Sequence, residues 1–455
     1  QKQIANGIER VLGQMSDGMV SEETPNLNHE QSINILIGGN GTNPLLIGTV
    51  GSDRLINTSL GLKLNETSSL NSFESNIVRK GNVVITANSG NLLSLVSAGS
   101  AINLDGLSAN AKYPINDNFS LDATVSLQGG GAHVVLDGRT ELNLNHSTSS
   151  LGAVAGGSSI AFGGQSSSIV NGSSTINVSS SSQGTGFEGL NVGLIGGGLS
   201  VATLGGSSNA IVGDSTKPTE TATTINLNSG ISGLVMGGGI AAAADISQVE
   251  SVVTGIEGIG DNIKFDQELI HKGGTATTES QNINIKVGSG ATVFGLMGGA
   301  TAVAYQVEDA TTASKATASV KDVNITIGEE GKGSAFTKAD STDKAEYFGA
   351  LKDAMGVMLP DEMPSGGMGG VLDAIKDVVA SVSVDANEQK VQQSIDTLAK
   401  YPGVTVGVLG GGIAASWARE ASGDAASTPI AETTVNSVSM TVHSGYNVGL
   451  VGGGL

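Results

Sequence analysis

The chain has 455 residues, with 68 Gly, 8 Pro and no Cys. Gly stands at roughly twice its usual share of about 7%, with no Gly-X-Y period, so collagen is excluded, and aromatics at 3% exclude a core of large rings. Lys and Arg number 22 against 42 Asp and Glu, a formal charge of −20, which excludes a basic face for nucleic acid; without Cys, disulfides, thiol catalysis and thiolate metal sites are excluded.

Hydrophobic residues make up 38%, mostly Ala, Val, Ile and Leu. They recur too regularly for a disordered chain. The expected product is a long β-structure with a thin interior of small residues. The acidic balance reads as solubility and self-repulsion outside a cell. The chain starts at Gln1 without a signal peptide and stops at VGGGL inside a recurring pattern. It is read as a fragment or a processed product.

In chain order, residues 1–31 come first. Ile4, Ile8, Val11, Met15 and Met19 lie on one helical face, which predicts an N-terminal helix and linker capping the open end of a repeat array. Residues 32–333 carry the repeats. Each has a short alternating strand rich in Asn or Thr, then an apolar segment around a Gly triplet. INLNSG at Ile225–Gly230 precedes GLVMGGGIAAAA at Gly233–Ala244. INIKVGSG at Ile283–Gly290 precedes FGLMGGATAVA at Phe294–Ala304. INVS at Ile176–Ser179 leads to VGLIGGGLSVA at Val192–Ala202. Copies recur at about 35–60 residues, so loops of variable length interrupt a constant scaffold.

Each unit leaves apolar surface and backbone groups open above and below, which only a neighbouring unit closes. The expected fold is therefore all-β: a right-handed parallel β-helix (solenoid), with its hand taken from the usual crossover rule. Asn177, Asn226, Asn284 and Asn324 are expected at corresponding strand ends, where stacked amides compete with plain turn chemistry. The apolar Gly-rich runs also resemble small-xxx-small membrane helices. At about 12–15 residues they fall short of a bilayer span of about 20, so no transmembrane segment is expected.

Residues 334–400 depart from the repeat and read as an inserted three-helix subdomain. Tyr347, Leu351, Met355 and Met358 mark its first helical face. Val371 to Val382 mark a second, and Val391, Ile395 and Leu398 a third, with Asp385 and Glu388 at capping-box spacing. Tyr347, Met355, Met358, Met363 and Met368 are the candidate partner-binding residues, since exposed Met adapts to partners and function concentrates in excursions from a scaffold. The competing reading packs the Met between the helices. Residues 401–455 continue the solenoid. Val249–Gly274 is irregular, a short helical loop or an extra coil.

Chemistry is sparse. His29, His133, His146, His271 and His443 are scattered, and no HExxH motif occurs. Asp261, Asp266 and Glu268 form a loose acidic group on a solvated loop. GTGFEG at Gly184–Gly189 matches GxGxxG but precedes an apolar strand rather than a helix, so the dinucleotide context fails. No catalytic residue, cofactor or metal is expected, and the chain is read as a non-enzyme.

TINLNSGISGLVMGGGIA and SMTVHSGYNVGLVGGGL, with the acidic balance and absence of Cys, resemble the β-helical passenger regions of bacterial autotransporters and filamentous-haemagglutinin-like adhesins. The resemblance implies a rigid stalk at the bacterial cell surface, outside the cell. Its partners would be a host or neighbouring-cell surface protein or glycan, with self-association as a further expectation. A self-assembling fibre or matrix subunit is the first alternative, and a glycan-active β-helix enzyme the second.

Overall fold

The computed structural model describes residues 26–39, 42–57, 61–64, 75–103, 108–112, 122–126, 131–162, 165–181, 188–203, 207–214, 216–217, 223–244, 246–253, 265–306, 312–356, 385–418 and 428–455. The expected N-terminal helix lies outside them.

The strands run in tiers. The first holds β1 (Asn26–His29), β2 (Ile33–Ile37) and β3 (Leu45–Asn57), with the outlying β4 (Gly61–Leu64) after it. Next come β5 (Ser75–Arg79) and β6 (Val83–Asn103), then the outlying β7 (Ser108–Lys112) and β8 (Asp122–Ser126). The middle tiers hold β9 (Ala132–Leu136), β10 (Thr140–Phe162), β11 (Gln165–Val170), β12 (Ser174–Ser180) and β13 (Leu190–Thr203). β14 (Ser207–Val212) and β15 (Thr223–Ala243) precede β16 (Ile246–Val253) and β17 (Phe265–Lys272). The last tiers are β18 (Thr275–Gln306), β19 (Lys315–Ile327), β20 (Val404–Ala418), β21 (Ile430–Val442) and β22 (Tyr446–Gly454).

All pairings within the 17-stranded main sheet are parallel and form three ladders. One starts at β1 and β5, a second at β2 and β6, a third at β3 and β6. The Gly-triplet segments stack in register in the third. Val192 to Ala202 sits on Gly233 to Ala243, and Phe294 to Gln306 on Val406 to Ala418.

The expected right-handed parallel β-helix is corrected here. Of the described residues 73% are strand, and the main sheet closes as a six-stranded parallel β-barrel with further strands outside. In the pairings β10 meets β12 through Thr140–His146 and β13 through Ser150–Phe162, and β15 meets the same two strands. Long strands pass through the corners without a break, as β18 does over 32 residues. Sequence repetition signals in-register parallel stacking but not how the faces join, and the crossover rule presupposes separate strands with a connection between them.

The Gly triplets explain the thin interior. A Cβ on Gly197 would lie 2.8 Å from both the Gly238 carbonyl oxygen and Thr223 Oγ1, on the second ladder. A Cβ on Gly239 would lie 2.5 Å from Thr278 Oγ1 and 2.9 Å from Ser280 Oγ, on the first. Two faces therefore meet over the triplet with no room for a methyl group. The remaining volume is filled by Val, Ile, Leu and Ala of one continuous core. Hydroxyls fill part of it as well. Ser159 and Ser166 are 2.7 Å apart, and Ser200 donates to Ser166 at 2.9 Å, all buried.

Outside the main sheet, β16 and β17 form an antiparallel hairpin joined through β8 and β7 to β4. This is what Val249–Gly274 contributes: neither a helix nor an extra coil among its described residues. Two α-helices occur among the described residues, α1 (Ser341–Gly356) and α2 (Asp385–Ala399), both between β19 and β20. The expected second helix at Val371 to Val382 lies outside the described residues.

Candidate functional site

The helices sit on the outer face of the third ladder. The segment begins at Ser334, whose hydroxyl accepts from the Phe336 amide at 3.2 Å and opens a 3-10 turn. Asp340 Oδ1 then accepts from the Thr342 and Asp343 amides, each at 2.8 Å, satisfying donors that the start of α1 leaves open. Phe336, Tyr347, Leu351, Val391, Ile395 and Leu398 are buried against Leu190, Val192, Ile231, Phe294 and Val404 of the sheet.

Phe336 is the hub of this contact. Its ring lies 4.5 Å from Tyr347, 4.8 Å from Tyr446, 5.6 Å from Tyr401 and 5.9 Å from Phe348, in tilted or edge-on arrangements that suit aromatic quadrupoles. The Tyr347 hydroxyl lies 3.1 Å from Thr292 Oγ1 on β18. Burial pushes the Tyr347 phenol up to about 12, partly offset by that hydrogen bond. The Tyr401 hydroxyl donates to Asp343 Oδ2 at 2.8 Å, and this bond, helped by burial and nearby carboxylates, raises its pKa. The segment closes where it began, with the Ser334 hydroxyl donating to the Pro402 carbonyl at 3.2 Å.

Among the candidate partner-binding residues, Tyr347 is corrected: it is fully buried and fastens α1 to the sheet, so it offers no surface to a partner. Met355 falls at the end of α1, and Met358, Met363 and Met368 lie outside the described residues. The outward sides of the helices carry Lys, Asp, Glu and Gln. Lys390 reaches from α2 to Asp353 on α1 at 3.3 Å, and Gln392 donates to Asp396 at 2.8 Å.

Two further polar groupings escaped the sequence reading because their members are far apart in the chain. Arg79 and Asp53 form a buried ion pair at 2.8 Å, with His29 Nδ1 2.5 Å from the other Asp53 oxygen. Arg79 also donates to the Gln31 carbonyl. This grouping ties β1, β3 and β5 together at one end of the ladders. Burying such a pair costs desolvation that offsets much of its attraction.

The second is a polar cleft of about 490 Å³ at the corner between the second and third ladders, lined by Thr42, Asn43, Asn88, Ser89, His146 and Glu188 among others. His146 stands there with φ 47°, at a register shift between Leu144 and Ser147. A bulge of this kind re-aims a side chain. The lining offers hydrogen-bond donors and acceptors to a polar ligand. No cluster of metal-ligating side chains occurs among the described residues. No helix among them is long and apolar enough to cross a membrane.

No family model, curated protein or solved structure matches the chain.

Proposed function

We propose that the chain is an extracellular bacterial surface adhesin or interaction protein without enzymatic activity, in which the β body is a stiff support and the helical segment contacts the partner. The observation that carries this reading is how the segment is held. A ring-poor body gathers Phe336, Tyr347, Phe348, Tyr401 and Tyr446 at one junction, leaving the polar outer sides of both helices to solvent. An excursion fastened this firmly presents its outer surface in one orientation, which lowers the ordering cost of binding. The partner would be a surface protein or glycan of a host or neighbouring cell.

Deleting Ser334–Lys400 tests the reading. The entry and exit of the segment already meet at Ser334 and Pro402, so the β body is expected to keep its strand circular-dichroism signature. Adhesion of the purified protein to target cells is expected to fall to background. Unchanged adhesion by a folded deletion variant would remove the helical segment from the binding role.

A further inference from the structure

The polar cleft at the corner between the second and third ladders is built by four successive tiers, those of β2–β3, β6, β10 and β12–β13. In the two inner tiers a single strand passes through the corner, and Asn88, Ser89, His146 and Ser147 form a floor. In the two outer tiers separate strands meet there, and residues between them stand as walls. Gly39, Thr42 and Asn43, between β2 and β3, make one wall, and Glu188, ahead of β13, makes the other. The walls are three strand spacings of about 4.8 Å apart, which leaves room for a small ring between them. The volume of about 490 Å³ falls within the roughly 300–1,000 Å³ of small-molecule sites.

Hydrogen bonds hold the cleft in shape. The Gly39 amide donates to Ser89 Oγ at 2.9 Å, Ser89 Oγ donates to the Thr42 carbonyl at 2.5 Å, and Thr42 Oγ1 donates to the Gly39 carbonyl at 2.7 Å. The first wall is thus tied to the floor. On the far side the Gly189 amide donates to the Thr148 carbonyl at 3.1 Å and fixes the position of Glu188 beside it, which is only 6% exposed. Asn88 Oδ1 accepts from Asn145 Nδ2 at 3.3 Å, which sets the amide plane and leaves the Asn88 nitrogen as a donor. Groups already in place add little ordering cost when a ligand binds.

The lining selects its ligand. Small-molecule sites are usually apolar with a few polar groups. This one carries amides, hydroxyls, an imidazole and a carboxylate, with no aliphatic side chain and no Phe, Tyr or Trp among its described lining residues. Lys and Arg are also missing from them, and the net charge of −20 repels anions. A single carboxylate is a poor match for calcium, which takes about six to eight oxygens. Sugar hydroxyls both donate and accept, and the amides and hydroxyls here offer both roles side by side. We propose that the cleft binds a short neutral saccharide, with Asn43, Asn88 and Glu188 taking its hydroxyls. The inference is independent of what the helical segment binds.

Saturation-transfer NMR on the full chain tests it, with cellobiose, lactose, maltose and chitobiose as neutral probes and glucuronic acid as the anionic one. At least one neutral disaccharide is expected to receive saturation, and glucuronic acid none. Ser147→Trp, which fills the floor, is expected to abolish the transfer with strand circular dichroism unchanged. Asn43→Ala, on the exposed wall, is expected to raise Kd about two- to tenfold through the loss of one hydrogen bond. It answers the question should Ser147→Trp fail to fold. Silence from all the neutral sugars overturns the proposal. So does transfer that survives both substitutions, or that glucuronic acid gives equally. Transfer that EDTA removes overturns it as well, because a bound cation would then be holding the sugar.

Discussion

The β body and the helical segment solve the packing problem in opposite ways. The body brings faces together until only Gly fits between them, and fills the rest with Ala, Val, Ile and hydroxyls. The helical segment is held by a cluster of five rings at one junction, Phe336 at its centre. The difference comes from distance. Strands stacked about 4.8 Å apart repeat a side chain in every tier, so a large residue on an inner row must be accommodated again and again. A docked helix has no such constraint and is held by size and ring geometry. Backbone space therefore limits the body, and side-chain contact limits the segment.

The largest expected effect tests the first half of that contrast. Gly193 has φ +138°, and a Cβ there would fall on the Gly152 carbonyl oxygen of the tier below. Neither partner is a side chain that can turn away. Gly193→Ala is expected to destabilise the body by about 3 kcal/mol or more, combining left-handed strain with a backbone clash. Urea unfolding followed by far-ultraviolet circular dichroism measures it. A loss below about 1 kcal/mol, the ordinary Gly-to-Ala scale, would show that the tiers can spread and that backbone space does not limit the body.

The second test addresses the junction. The Tyr347 phenol is raised from the usual 10 to about 12, chiefly by burial. Below pH 10 the phenol is neutral in both the folded and the unfolded chain, and its packing is fully effective. Between 10 and 12 the unfolded chain loses the proton while the folded one keeps it, so stability falls as pH rises. The loss reaches about 2–3 kcal/mol by pH 12. Tyr347→Phe is expected to remove this slope and to lower stability slightly at neutral pH, because Thr292 loses its partner. Unfolding curves at pH 9 and near pH 11.5 separate the two effects. Tyr401, also raised, leaves a shared slope in both proteins. An identical pH dependence in the two would mean that the Tyr347 ring is wet.

The strand character of the β body was legible in the sequence, and so was the stacking of its Gly-triplet segments. INLNSG and its relatives alternate with the period of a strand, and the triplets recur where backbones approach. The closure was not legible, because periodicity names neighbours and not the angle between faces. The Asn row shows the limit in small. Asn226 donates to Asn177 at 2.8 Å, and Asn177 to Asn143 at 2.7 Å. Asn284 instead lies beside Thr224, and Asn226 beside Lys286. A two-residue slip keeps every side chain on its face, so INLN and INIK look alike in sequence yet pair out of step. In the helical segment, the apolar face holding Tyr347 was visible. Its direction was not, since a ring at helical spacing reads the same whether it meets a sheet or a partner. The buried Arg79–Asp53 pair left no local signal, because its members come together only across tiers.

The smallest effect should have the opposite sign, and it sharpens the comparison most. Gly349 lies in α1, exposed, with nothing near where a Cβ would stand. In a helix interior Gly costs roughly 0.5–1 kcal/mol relative to Ala through backbone entropy. Gly349→Ala is therefore expected to stabilise the docked segment by about that amount, read as slower hydrogen exchange of the α1 amides and not as a change in unfolding of the sheet. The same substitution at Gly193 destabilises the body. One exchange of a hydrogen for a methyl group thus reports, by its sign, whether a position is governed by the space between backbones or by the freedom of a single helix. If Gly349→Ala instead loosened α1, the exposed side of that helix would lie against something, and the helical segment would be more closely fitted to the body than its polar outer face implies.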